Sequence, residues 1–187
     1  MQFTRPAVGI EFFLILAVMV ATVTDLRSRR IPNWLTVTTL ALGFVLNALI
    51  AYPSPLAGLW LAAKGFALAF TINLVMYMLH MTGAGDVKFL AGIGAMVGCS
   101  DFVGIFMLTA LIGGVLAVVL MLLKGRVRQT LWNIGYMISE LMSWRAPHLT
   151  REQLDVGSSK ALRLPGAVRI GLGVVAFLVM ARVFTPA

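Results

Sequence analysis

Seven acidic residues occur among 187. Two of them stand where an apolar run meets a polar turn: Asp25 at the end of the first run and Asp86 at the start of a later one. Two carboxylates brought close together cannot both ionise cheaply, so one keeps its proton. Such a pair can hold a water molecule, one group acting as base and the other as acid, which is hydrolytic chemistry that needs no metal or cofactor. Each aspartate also has a plainer reading. Asp25 can be solvated beside Arg27 and Arg29, and Asp86, after a glycine turn and before an apolar helix, has the position of an N-cap. Sequence spacing does not bring the two side chains together; the elements that carry them must.

Those elements belong to a membrane. Hydrophobic residues make up 60% of the chain and charged residues 12%, against about half and about a quarter in soluble domains. Such a chain cannot cover a globule with polar surface, so lipid must be part of its solvent. The net charge of +8 is read as basic flanks of apolar spans that set orientation and meet anionic headgroups. No basic face, arm or aromatic reader points to nucleic acid. The single cysteine, Cys99, excludes an internal disulfide and a Cys-x-x-Cys site. Two histidines, His80 and His148, argue against a histidine-rich metal centre, and no metal or cofactor is expected.

A bilayer crossing takes about 20 apolar residues. Spans are predicted from about Ala7 to Thr24, Trp34 to Tyr52, Leu56 to Met81, Val87 to Cys99, Phe102 to Leu123 and Ala167 to Val183. The fold expected is therefore all-α, a single membrane domain over 1–187 with about six transmembrane helices. The fourth span is short and glycine-rich, with a re-entrant segment as the competing description; Asp101 marks a tight turn after it. Gly94-x-x-x-Gly98 would let another helix approach closely. With the N-terminus outside, twelve of the fifteen lysines and arginines fall inside, only Arg5 and Arg182 outside, and Lys64 within a span. That asymmetry favours this orientation, and it puts Asp25 and Asp86 at the same, cytoplasmic, membrane boundary.

Between Lys124 and Pro165 lies the one sizeable loop. Val127, Leu131, Ile134, Ile138, Leu141 and Met142 form a stripe at helical spacing, with Trp132 and Trp144 nearby. A helix lying in the cytoplasmic interface is expected there, or one packed on the bundle. Inside the spans, Glu11 and Lys64 are candidates to pair, because isolated charges in hydrocarbon are costly. Asn73 and His80 are expected to hydrogen-bond between helices.

Asp25-Leu-Arg-Ser-Arg-Arg-Ile-Pro-Asn33 and Gly83-Ala-Gly-Asp86-Val-Lys88 resemble the paired signatures of the type IV prepilin peptidases. These are integral-membrane aspartic peptidases of the Gly-x-Gly-Asp class. The likeness runs over most of the chain in the same order. Leu164-Pro165, leading into the glycine-containing last span, adds a weaker third element. The resemblance implies that Asp25 and Asp86 are catalytic, that prepilins and pseudopilins are the substrates, and that a glycine precedes the scissile bond. It further implies the bacterial cytoplasmic membrane, with pilus assembly machinery as a further partner. Full-length relatives carry an extra cytoplasmic segment with cysteine pairs, associated with methylating the new N-terminus. That segment has no counterpart here, so the likeness is to the short, tight-adherence (Flp) form. Relatives also usually have an uncharged residue where Arg169 stands; at the boundary it is expected to snorkel.

The neighbours of the two aspartates have physical roles to fill. Gly83 and Gly85 would permit backbone geometries closed to other residues and let an extended strand approach Asp86. Pro32 would start the second helix and Asn33 would satisfy free backbone groups there. Lys88 would pair with lipid phosphate or tune the carboxylates, or simply mark the inner face. Two other classes stay open: a small transporter with Glu11, Lys64, Asp25 and Asp86 along its path, and a non-catalytic subunit of a pilus or secretion machine.

Overall fold

The computed structural model describes residues 6–51, 53–79, 81–124 and 166–184. Among the described residues there are five helices: α1 (Val8–Ser28), α2 (Asn33–Ile50), α3 (Pro55–Met78), α4 (Ala84–Leu123) and α5 (Gly166–Phe184). No strand occurs among the described residues. All five are long and apolar enough to cross a membrane. Large apolar side chains lie on the outside, Phe12 62% and Leu111 65% exposed among them, where only lipid can cover them. The interior is built from small residues at the helix contacts and a few large ones such as Leu14, Phe89, Phe102 and Phe177. The chain is thus an all-helical, polytopic membrane protein. The loop at 124–165, and the amphipathic helix expected within it, lies outside the described residues apart from Lys124.

Local chemistry sets most helix limits. Arg29 takes the left-handed conformation (φ 52°) that closes α1, its N–H donating to the Asp25 carbonyl at 2.8 Å. Pro32, extended at ψ 141°, is the N-cap of α2. Pro55 occupies the first position of α3, where its missing N–H costs nothing.

The fourth helix departs from expectation. Its 40 residues are two helical arms that meet at one residue with non-helical torsions, Gly98, at φ 78° and ψ −179°. That region is open essentially to glycine alone. A straight helix would put Asp86 and Gly113 about 40 Å apart. Yet one side chain, Arg169, reaches both: it pairs with Asp86, and a Cβ on Gly113 would lie 3.2 Å from its Cδ. The chain therefore doubles back at Gly98, and the arms 84–97 and 99–123 run side by side. The reversal falls three residues before the turn expected at Asp101, which is instead helical and buried within the second arm. Glycine has the torsional freedom to reverse the chain there, and aspartate does not.

Nearly every residue from Val87 to Gly98 is buried, so the first arm is surrounded by protein and not by lipid. Its glycines make that possible. A Cβ on Gly65 of α3 would collide with the Gly94 carbonyl oxygen and lie 2.8 Å from the Gly98 Cα, which is the close helix approach expected of Gly94-x-x-x-Gly98. On the α2 side, Asn47 donates to the carbonyls of Ala95 and Met96, both at 3.0 Å. Asn73, expected to bond between helices, turns its amide back onto Ala69 of its own helix at 2.8 Å; His80 lies outside the described residues.

Last, α5 packs antiparallel to α1 and is pinned near both ends. Glu11 pairs with Arg182 at 3.1 Å, so the expected Glu11–Lys64 pair does not form, and Lys64 is exposed. The near-constant pairing of Glu11 with Arg182 and of Asp25 with Ala167 at the opposite end is what antiparallel neighbours require.

Candidate active site

Asp25 is presented by the last turn of α1. Around it the helix is reinforced from within: Thr24 donates to the Val20 carbonyl at 2.8 Å and Ser28 to the Thr24 carbonyl at 2.7 Å. Its residue is 6% exposed, so it is not a solvated partner of Arg27 and Arg29. The carboxylate accepts a hydrogen bond from the Ala167 backbone N–H at 2.9 Å. Thr22 donates to the carbonyl of the same residue at 3.4 Å. A helix start with free N–H groups is a natural seat for a carboxylate.

Asp86 stands in the first turn of α4, whose N-cap is Gly83 and not Asp86 itself. Its side chain is 16% exposed and lies 3.8 Å from the Arg169 guanidinium. Gly83, at the start of its own helix, and Asp25 line the same cleft. Gly166 completes the enclosure. A Cβ there would fall on both carboxylate oxygens and within 2.7 Å of the carboxyl carbon. Consecutive residues of α5 therefore rest on the two aspartates, Gly166 on Asp86 and Ala167 on Asp25.

Both carboxylates line one cleft of about 1070 Å³, together with Thr24, Arg29, Arg30, Thr82, Lys88 and Gly113. The two sequence motifs dock directly on one another beside it. A Cβ on Gly85 would lie 3.5 Å from the Cβ of Ile31, and Lys88 Nζ donates to Asn33 Oδ1 at 3.4 Å. Asn33 thus serves Lys88, not the backbone at the start of α2, where no side-chain cap forms. The α1–α2 turn carries its buried Ile31 onto the start of α4, and this contact brings the two aspartate-bearing segments into one site.

Two expectations about the glycines separate here. Neither Gly83 nor Gly85 has a positive φ, so the backbone conformation does not demand glycine at either. What Gly83 leaves is room: a Cβ there would meet nothing within 4 Å. Pro32 does cap α2 as expected.

Sequence reasoning missed the contribution of α5. Arg169 does not snorkel away. It turns onto Asp86, with its stem against Gly113 and its Nε buried without an acceptor. A signal was present, since the last span starts at the face where the carboxylates lie and helix starts attract carboxylates. Among the described residues, no group of three or more His, Cys, Asp or Glu is placed to hold a metal ion.

Comparison with known proteins identifies a family. Residues 12–118 match the model of the type IV leader peptidase family, a stretch that holds both aspartates and ends before α5. The chain is 32% identical over 109 residues to a prepilin leader peptidase/N-methyltransferase of Xanthomonas campestris pv. campestris, covering 57% of this chain and 38% of that one. It is 28% identical over 87 residues to a preflagellin peptidase of Methanococcus voltae, covering 44% of this chain and 36% of that one. The matches thus span well under half the length of these relatives. No solved structure matches. With more than half its length matched and both aspartate motifs within that half, the chain belongs to the type IV leader peptidase family.

Proposed function

We propose that this protein is a membrane aspartic endopeptidase that removes the short leader from prepilins and related pseudopilins of the Flp type. The observation that carries the reading is the pair of carboxylates in one cleft, each touched by consecutive residues at the start of α5. Family membership and the names of the relatives, prepilin leader peptidase and preflagellin peptidase, support the substrate class.

In this mechanism one aspartate is ionised and the other protonated. The ionised group takes a proton from a water lying between them as the water oxygen attacks the scissile carbonyl carbon. The protonated group gives its proton to the carbonyl oxygen. When the tetrahedral intermediate collapses, the carbon–nitrogen bond breaks and the leaving nitrogen receives a proton, producing a free amine and a free carboxyl. The pair titrates as a unit. Gly83, open on its side-chain face, gives an extended substrate strand access to Asp86. Lys88 and Asn33 hold the α4 start against α2, and Pro32 with Ile31 sets the turn between them.

The positive-inside pattern supports an active site at the cytoplasmic face of a bacterial inner membrane, the N-terminus of α1 lying outside. The substrate then inserts its apolar segment in the bilayer and leaves its basic leader at the cleft, with pilus assembly machinery downstream. The transporter reading loses its path residue Glu11, which is tied to Arg182 at the far end of α5 from Asp86.

Cleavage of a candidate prepilin in membranes by the wild type, Asp25→Asn and Asp86→Asn tests the proposal. Asparagine keeps size and most hydrogen bonding but cannot share the proton. Cleavage by the wild type and by neither mutant, at equal protein levels, is the expected result. A mutant that cleaves as the wild type does would overturn the paired-carboxylate mechanism, and a wild type inert on prepilins of every type would favour a non-catalytic assembly subunit.

A further inference from the structure

We propose that Arg169 is a positioning residue for Asp86, setting where that carboxylate stands relative to Asp25. The inference rests on the peptidase reading for its effect on catalysis, but the contact itself does not. Arg169 projects from the first turn of α5 and brings its guanidinium to 3.8 Å from Asp86. Its Nε is buried with no acceptor. A guanidinium with an unpaired buried N–H is a costly way to fill space, and an apolar side chain would pack there without that cost. The bilayer boundary offered an alternative, since a long basic chain can reach the headgroups. The observed placement forgoes it.

Two glycines make the placement possible. Gly113, on the returning arm of α4, leaves the space in which the arginine stem lies, since a Cβ would be 3.2 Å from its Cδ. Gly166 leaves the space taken by the Asp86 carboxylate. The same turn of α5 donates the Ala167 N–H to Asp25. One helical turn therefore holds both carboxylates, Asp25 by a backbone N–H and Asp86 by a side-chain cation two residues on. The other charges around Asp86 are Asp25 from α1, Arg29 and Arg30 at the α1–α2 connection, and Lys88 on its own helix. Lys88 is engaged with Asn33, and among the described residues Arg169 is the cation within 4 Å of Asp86.

The experiment compares the wild type with Arg169→Lys, Arg169→Met, Gly113→Val and the double variant Gly113→Val/Arg169→Met. Each is assayed in membranes on a peptide with a basic leader ending in glycine, followed by an apolar segment. Arg169→Met is expected to lower kcat by about 10- to 100-fold, the scale of a misplacement near one ångström, with KM little changed. Arg169→Lys should recover most of kcat. Gly113→Val, by displacing the arginine stem, should match Arg169→Met and add little to it. Wild-type kcat in Arg169→Met, or a loss that lysine does not relieve, overturns the proposal.

A second measurement needs no activity. Thermal unfolding in detergent of Asp86→Asn, Arg169→Met and their double variant should be non-additive, because residues in contact couple. Additive shifts overturn the positioning role. If the wild type cleaves nothing while the shifts are coupled, the peptidase reading fails and the Arg169–Asp86 contact stands.

Discussion

Among the described residues two ion pairs fasten α5 to the rest of the bundle, one near each end, and they differ in kind. Near its C-terminal end Arg182 meets Glu11 at 3.1 Å, with a further contact from Nε at 3.4 Å, and the arginine side chain is 61% exposed. Near the N-terminal end Arg169 meets Asp86 at 3.8 Å in a more enclosed setting, one third exposed, with Nε buried and unpaired. The first pair is short, its arginine open although its Glu11 is as enclosed as Asp86, and neither partner touches the cleft. The second is longer, and its carboxylate lies where a Cβ on Gly166 would fall. On the proposed peptidase reading, the difference separates the end of α5 that is fastened for stability from the end that is shaped for chemistry. A structural pair needs only good geometry, whereas a site must hold like charges near each other and keep a polar group incompletely satisfied.

The comparison can be broken in order of expected effect. Asp25→Asn or Asp86→Asn should lower cleavage by about 10²–10⁴-fold, the usual worth of a general acid or base, read as initial rates on a prepilin at matched protein level. Activity retained in either would make the two ends of α5 equivalent. Gly166→Ala should lower cleavage by about 100-fold, because its Cβ would fall on the Asp86 carboxylate and displace it. A side chain tolerated there would mean that the α5 start does not shape the site.

Away from both pairs, Gly98→Ala should cost about 1–3 kcal/mol of stability, since alanine is strained at φ 78°. A lowered thermal midpoint in detergent would show it. The smallest effect belongs to the far pair: Glu11→Gln should cost about 1 kcal/mol or less, with cleavage per folded molecule unchanged. A rate loss in that variant comparable to Gly166→Ala would erase the distinction between the two ends.

Much of this is legible in the sequence. The helices follow from apolar length, and their limits from Pro32, Pro55 and the left-handed Arg29 come within a few residues of those expected. The shared location of Asp25 and Asp86 follows from counting crossings between them. The small-residue contact of Gly94 and Gly98 with α3 was readable from their spacing. Less legible were the partners of polar groups. Glu11 chose Arg182 over Lys64, Asn33 chose Lys88 over the helix start, and Asn47 joined the helices where Asn73 was expected to. A side chain's type says that it needs a partner, but which partner it finds depends on the rotation and depth of both helices.

The sequence by itself determined that the chain is a bundle of apolar helices, and that its two boundary aspartates lie in motifs of one family. Apolar length, basic flanks and short motifs are local properties, and they survive any packing of the helices. Only the tertiary structure decided that α5 seats both carboxylates with its first turn, that the fourth helix folds back at Gly98, and that Arg169 faces Asp86. The Ala167–Asp25 and Arg169–Asp86 contacts join residues 142 and 83 positions apart. No spacing rule reaches that far, because such contacts are set by how helices pack and not by the period of any one of them.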